Sequence, residues 1–229
     1  MIPSKTHSAL NKLSRNKLIA EFSLWSANLL RLEDDLARIE SHCDILHVDV
    51  ADGHFAPAML FFPDQIAAVK KVSKLPIHVH LMVADKILTQ QIDQFAEAGA
   101  DLISIHAENA NAAEALAHIK SKGIATGIVL KWDTPVSAAA PFIDDINFLT
   151  LLGTAIGVKG QSLSAQAPMR LQEAKALIGA RDIILAADGG IRENTVPLLR
   201  GSGAQTVVLG SLAFGAADLS ERIKWLKAL

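Results

Sequence analysis

Short runs of apolar residues alternate along this chain with stretches whose apolar positions recur every three or four residues. The runs predict strands over Leu18–Leu24, Ile45–Val50, Ile77–Met82, Leu102–His106, Ala125–Leu130, Phe148–Leu152, Ile183–Ala187 and Thr206–Leu209. The longer period predicts amphipathic helices over Leu29–Ile39, Ile87–Ala98, Ala112–Lys120, Met169–Ile178 and Asn194–Leu199, with a closing helix over Leu219–Leu226. Strands that alternate with helices in this way over about 210 residues indicate an α/β chain, a single (β/α)8 TIM barrel. The rival is an open doubly wound sheet, which usually has fewer strands and often a glycine fingerprint after the first. Here the first strand runs into Ser23-Leu24-Trp25-Ser26-Ala27-Asn28, which holds no glycine. The expected organisation is a barrel over 17–229 preceded by a short N-terminal extension over 1–16, a helix or a mobile arm.

Composition narrows the picture. A chain of 229 residues suffices for one large core. A net charge of −2 offers no electrostatic case for nucleic acid or an anionic membrane as partner. One cysteine, Cys43, precludes an internal disulfide framework and fits a reducing compartment. Half the residues are apolar, yet no run approaches the roughly 20 residues of a membrane span. The first sixteen residues lack the apolar centre of a signal peptide. The expectation is a soluble, cytoplasmic protein.

Candidate chemistry gathers at strand ends. In His47-Val48-Asp49-Val50-Ala51-Asp52-Gly53-His54, alternation puts His47 and Asp49 on one face of the second strand. An imidazole and a carboxylate so placed are half of a divalent-metal site. His80 near the end of the third strand and Asp188 after the seventh supply the other half. In a barrel of this kind reactive groups sit at the C-terminal ends of the strands, where His47, Asp49, His80, Asp188 and Ser23 all fall.

These residues are similar to those of the ribulose-phosphate 3-epimerase family. The resemblance runs from about Lys17 to the C-terminus. It is carried by Ser23-Leu24-Trp25-Ser26-Ala27, His47 to Phe55, His80-Leu81-Met82-Val83, Phe95-Ala96-Glu97-Ala98-Gly99-Ala100-Asp101, Asp188-Gly189-Gly190 and Gly210-Ser211. It implies that His47, Asp49, His80 and Asp188 bind one divalent ion, and that Asp49 and Asp188 exchange the proton. With two imidazoles and two carboxylates Zn²⁺ is favoured, with Fe²⁺, Mn²⁺ or Co²⁺ as alternatives. The implied reaction inverts C3 of a phosphorylated ketose through a metal-stabilised enediolate, with D-ribulose 5-phosphate to D-xylulose 5-phosphate as the leading case. Gly189-Gly190 and Gly210-Ser211, after the last two strands, are the expected phosphate grip. Ser23 and His80 are expected to contact the sugar, and Gly157, Lys159 and Gly160 to face the substrate from the sixth loop. The expected assembly is a homo-oligomer.

The chain departs from that family around the substrate. Relatives usually carry methionine at Ala51 and asparagine at Ala58. Their Met-Thr-Val-x-Pro-Gly-Phe-Gly-Gly-Gln becomes Leu152-Gly153-Thr154-Ala155-Ile156-Gly157-Val158-Lys159-Gly160-Gln161, so Lys159 replaces a glycine. Lys159 either touches the phosphate or projects into water. The changes leave room for a paralogue acting on another ketose phosphate, such as allulose 6-phosphate or a tetrulose phosphate. A non-catalytic sugar-phosphate-binding barrel is the third reading, and the retained pair of aspartates speaks against it. Other conspicuous residues have plain explanations. His78 stands where relatives usually have aspartate, and reads as a buried hydrogen-bonding residue beneath His80. Asp52 and His54 read as turn residues, Trp132 and Trp225 as packing, and Cys43 as a small buried hydrophobe.

Overall fold

The computed structural model describes Leu10 and residues 13–229, so most of the expected extension over 1–16 lies outside the described residues. Eight parallel strands close into a barrel: β1 (Ile19–Ser23), β2 (Ile45–Asp52), β3 (Ile77–Met82), β4 (Leu102–His106), β5 (Ala125–Leu130), β6 (Phe148–Leu152), β7 (Ile184–Asp188) and β8 (Thr206–Leu209). Each pairs with its sequence neighbour, and β1 pairs with both β2 and β8 to close the ring. The surrounding helices are α1 (Leu32–Ile39), α2 (Pro63–Val72), α3 (Asp85–Ala98), α4 (Ala112–Ser121), α5 (Ala167–Ile178), α6 (Val196–Gly201), α7 (Ser211–Phe214) and α8 (Leu219–Lys227). Among the described residues no helix is long and apolar enough to cross a membrane.

The elements differ from the pattern where polar chemistry intervenes. The first helix begins at Leu32, not Leu29, because Asn28 holds residues 28–31 in a turn. Its side-chain Oδ1 accepts from Leu30 N–H (3.2 Å), while its backbone N–H donates to Asp35 (2.7 Å). The short helix after β7 begins at Val196 instead of Asn194, because the Thr195 hydroxyl occupies the Gly190 and Arg192 carbonyls and accepts from Arg192 N–H. Strand β2 runs on to Asp52, where Ala51 and Asp52 pair antiparallel with Met59–Leu60. Helix α2, beyond the predicted set, starts with Pro63 and buries Ile66 and Val69 three residues apart. Between β5 and β6 a 3₁₀ segment, Val136–Phe142, replaces a full helix; Pro141 lacks the N–H that an α-helix would use. Trp132 corrects the expectation of packing: it is 40% exposed. Trp225 packs against the core, and Cys43 is buried.

Strand alternation sorts the barrel interior into layers. Outward-facing residues such as Phe22, Val48, Leu81 and Ile105 form the main core beneath the helices. Inward-facing Ile19, Ile45, Phe148 and Ile184 make an apolar floor, and Leu10 packs into it. Above lie Glu21, His47, His78, Ser104, Gly127 and Thr150. Ser23, Asp49, His80, His106, Leu152 and Asp188 follow at the C-terminal rim.

Candidate metal centre and active site

Four of the predicted residues converge at that rim. Donor atoms of His47, Asp49, His80 and Asp188 all lie within 4.8 Å of one another. They come from three strand ends, and β2 and β3 are in register with Asp49 beside His80. Asp49 Oδ1 is 3.1 Å from His47 Nε2 and 3.3 Å from His80 Nδ1, and its other oxygen accepts from the Ser23 hydroxyl at 2.8 Å.

The remaining ring nitrogens are committed elsewhere. His47 Nδ1 meets Glu21 at 2.7 Å. His80 Nε2 meets His106 Nε2 at 2.9 Å, and His106 Nδ1 meets Glu108 at 3.0 Å. Protons on His47 Nδ1, facing Glu21, and on His106 Nδ1, facing Glu108, make His80 Nε2 the donor to His106 and leave His47 Nε2 and His80 Nδ1 able to offer lone pairs to one point. Two imidazoles and two carboxylates, so oriented, form a donor set that suits a divalent cation. A second trio, Glu21, His47 and His78, also has close donor atoms. There both rings aim Nδ1 at one Glu21 oxygen, at 2.7 and 2.5 Å, so it is a hydrogen-bonded cluster.

Burial and neighbours push the two aspartates apart. Burial alone would raise the Asp49 pKa, but His47 and His80 hold it well below the usual carboxylate range. Burial pushes Asp188 up to about 6, and the imidazoles only partly offset this. His47, which burial would lower, is raised well above its ordinary value by Asp49 and Glu21. Asp188 thus holds a proton more readily than Asp49, the kind of separation that acid/base pairs use.

The metal-capable cluster opens into a cleft of about 320 Å³ lined by Ser23, Asp49, His80, Gly157, Lys159, Gly160, Asp188, Gly189, Gly190, Gly210 and Ser211. Among the predicted site residues only His47 is absent from its wall; it lies fully buried beneath. Gly189 and Gly190 adopt positive φ (84° and 70°), and a Cβ there would lie 2.3 Å from Thr154 Oγ1 or 2.7 Å from Leu163. Only glycine lets the loop after β7 pass so close under the loop after β6. That sixth loop crosses the mouth: Ile156 packs with Ala51, Ala56 and Met82 of the opposite rim. Lys159 is exposed yet tethered, its Nζ donating to the Trp25 carbonyl at 2.5 Å and lying 4.6 Å from the Trp25 ring centroid.

Several residues of this site escaped the sequence reading. Glu21, His106 and Glu108 orient the histidines, and Arg192 adds a cation beside Gly190 in the cleft. His106 had a legible signal, since it closes β4 as His80 nearly closes β3. His78 is a buried hydrogen-bonding residue, as expected. Asp52 is a turn residue: it accepts from the backbone of His54, Phe55 and Ala84.

Comparison with known proteins agrees with this geometry. Two solved structures share the fold. One is orotidine 5'-phosphate decarboxylase from Pyrococcus horikoshii OT3, with a TM-score of 0.66 at 13% identity over 91% of this chain and 97% of that one. The other is a 3-hexulose-6-phosphate synthase, with a TM-score of 0.66 at 18% identity over 92% and 96%. In sequence, the chain is 32% identical to ribulose-phosphate 3-epimerase of Bacillus subtilis over 90% of its length and 96% of the relative's. It is 31% identical to the chloroplastic ribulose-5-phosphate-3-epimerase of Arabidopsis thaliana over 98% and 81%. The model of the ribulose-phosphate 3 epimerase family matches residues 19–214, which include every site residue named above, and the chain therefore belongs to that family of carbohydrate isomerases.

Proposed function

We propose that this chain is a divalent-metal-dependent epimerase that inverts C3 of a phosphorylated ketose, D-ribulose 5-phosphate to D-xylulose 5-phosphate in the first instance. The observation that carries the reading is the pair Asp49 and Asp188, held on different strands with their oxygens in one cluster with His47 and His80, all donor atoms within 4.8 Å of one another. C3 lies next to the C2 carbonyl, so removal of its proton gives an enediolate. Asp49, the ionised partner, takes that proton. Asp188, the carboxyl that takes up a proton more readily, returns one to the opposite face, and the configuration inverts. Ser23 donates to Asp49 and orients the carboxylate that reacts. A cation held by His47, Asp49, His80 and Asp188 would supply positive charge where negative charge gathers on the substrate oxygens. Zn²⁺ is the first candidate on donor type. The backbone at Gly189, Gly190 and Gly210, with Ser211 and Arg192, is the phosphate end of the cleft. We carry a cytoplasmic homo-oligomer as part of the same reading.

The test is C3 proton exchange in deuterated water with ribulose 5-phosphate, alongside metal analysis. Deuterium is expected in the product, because the returning proton comes from a group that equilibrates with solvent between turnovers. A metal-loaded protein that exchanges no C3 proton of any ketose phosphate would end the epimerase reading.

One observation favours a different sugar phosphate within the same chemistry. Ile156 of the sixth loop fills the space beside Ala51, so the cleft is reshaped where relatives usually carry methionine. Lys159, tethered over the mouth, contributes about 1 kcal/mol or less to phosphate affinity at its exposed position. Lys159→Gly should raise KM several-fold with kcat nearly unchanged, and the effect should shrink as salt is added. Unchanged KM at low and high ionic strength would show that the Trp25 contact is all that the lysine does.

A further inference from the structure

Barrels of this kind ordinarily fill the interior beneath the active site with branched apolar side chains. This chain instead places Glu21, His47, His78 and Ser104 there, all fully buried. Glu21 Oε1 lies 2.7 Å from His47 Nδ1 and 2.5 Å from His78 Nδ1. A carboxylate only accepts, so both imidazoles donate to it through Nδ1–H. His78 Nε2 is then an acceptor, and the Ser104 hydroxyl at 2.6 Å is its donor. The fourth strand's neighbour makes room for that hydroxyl. A Cβ at position 127 would lie 2.0 Å from Ser104 Oγ, and the residue there is Gly127. Thr206 reaches the second Glu21 oxygen at 3.5 Å. Every proton in this chain of groups has one place to go, and the last consequence falls on His47. With Nδ1–H held by Glu21, its Nε2 must face Asp49.

We propose that Glu21 is a positioning residue for the metal centre, fixing the tautomer and ring plane of His47, and that His78, Ser104 and Gly127 serve to hold Glu21 in place. The proposal rests on the metal reading above. A layer kept only for stability has a cheaper solution, because a buried carboxylate with two imidazoles costs more desolvation than apolar side chains of equal volume. A ligand that must present one nitrogen in one direction gives the layer its purpose.

Glu21→Gln tests this with little change of shape. Both rings would then share one neutral amide oxygen, with the NH₂ turned toward Thr206, so the negative charge that holds both Nδ1–H protons in place is lost. Zinc affinity, measured by competition with a chelator, should fall about 10- to 100-fold. In the zinc-titrated wild type, ¹⁵N-histidine NMR should show His47 protonated at Nδ1, and the variant should lose that signature. Ser104→Ala, milder and remote from the zinc, should weaken affinity several-fold and keeps the test available if Glu21→Gln does not fold. Zinc affinity within about threefold of wild type in both variants, with the His47 signature intact, would reduce Glu21 to a packing residue. A wild type that takes up no zinc would instead overturn the metal reading itself, so the two failures are distinguishable.

Discussion

Asp188→Asn should abolish epimerisation, lowering the rate of C3 exchange by about a thousandfold or more, while leaving the fold nearly as stable as wild type. Proton transfer by a positioned carboxyl group is commonly worth 10²–10⁴-fold, and an amide can neither give nor take that proton. The fold is spared for a specific reason. Burial already pushes Asp188 up to about 6, so the protein holds it readily as a neutral group of the same shape as asparagine. Asp49→Asn should be equally inactive but less stable. Asp49 is favoured as the anion, with His47, His80 and Ser23 all directed at it. Removing one partner of such a buried pair typically costs about 3–5 kcal/mol. Activity and thermal unfolding on both variants separate the effects. Retention of activity within about tenfold of wild type in either would remove that aspartate from the acid/base pair.

Stripping the protein with a chelator should abolish activity, and added divalent ion should restore it with an affinity that rises with pH. The sign follows from where the protons sit. His47 has its pKa raised well above the ordinary value, and Asp188 is raised to about 6. Both hold protons that an incoming cation must displace. Below about pH 6 the Asp188 proton must leave as well, so the climb should be steepest there. Near neutrality the proton on His47 remains to be displaced, and the slope should be shallower. Zinc competition titrations between pH 5.5 and 8, at about half-unit steps, would check this. An affinity that does not change with pH would mean that the ion displaces no proton from His47.

Much of this was legible along the chain, for a physical reason. Parallel strands wrapped by helices are covered on both faces, so they read as short apolar runs. His47, Asp49, His80 and Asp188 interrupt or end such runs, and stand out for that. The support for them did not stand out. Glu21 reads as one polar interruption in Ile19-Ala20-Glu21-Phe22, and its partners are 26 and 57 residues away in sequence. Gly127, inside a strand, carried a recognisable sign of close approach, but only the structure shows that the approaching group is Ser104. Helix boundaries shifted where Asn28 and Thr195 bonded locally to the backbone, a competition that apolar periodicity does not register.

The apolar floor makes the barrel a vessel open at one end. Leu10, Ile19, Ile45, Phe148 and Ile184 close it below the histidine layer with side chains that can neither carry a proton nor hold water in hydrogen bonds. All proton traffic to Glu21, His47 and His78 must therefore pass the rim, through the same opening that admits the sugar. A substrate that fills that opening would keep the hydrogen lifted from C3 on Asp49 until the sugar leaves. Reversal before inversion would hand the same atom back, so unreacted sugar should keep its original hydrogen while the product acquires one from water.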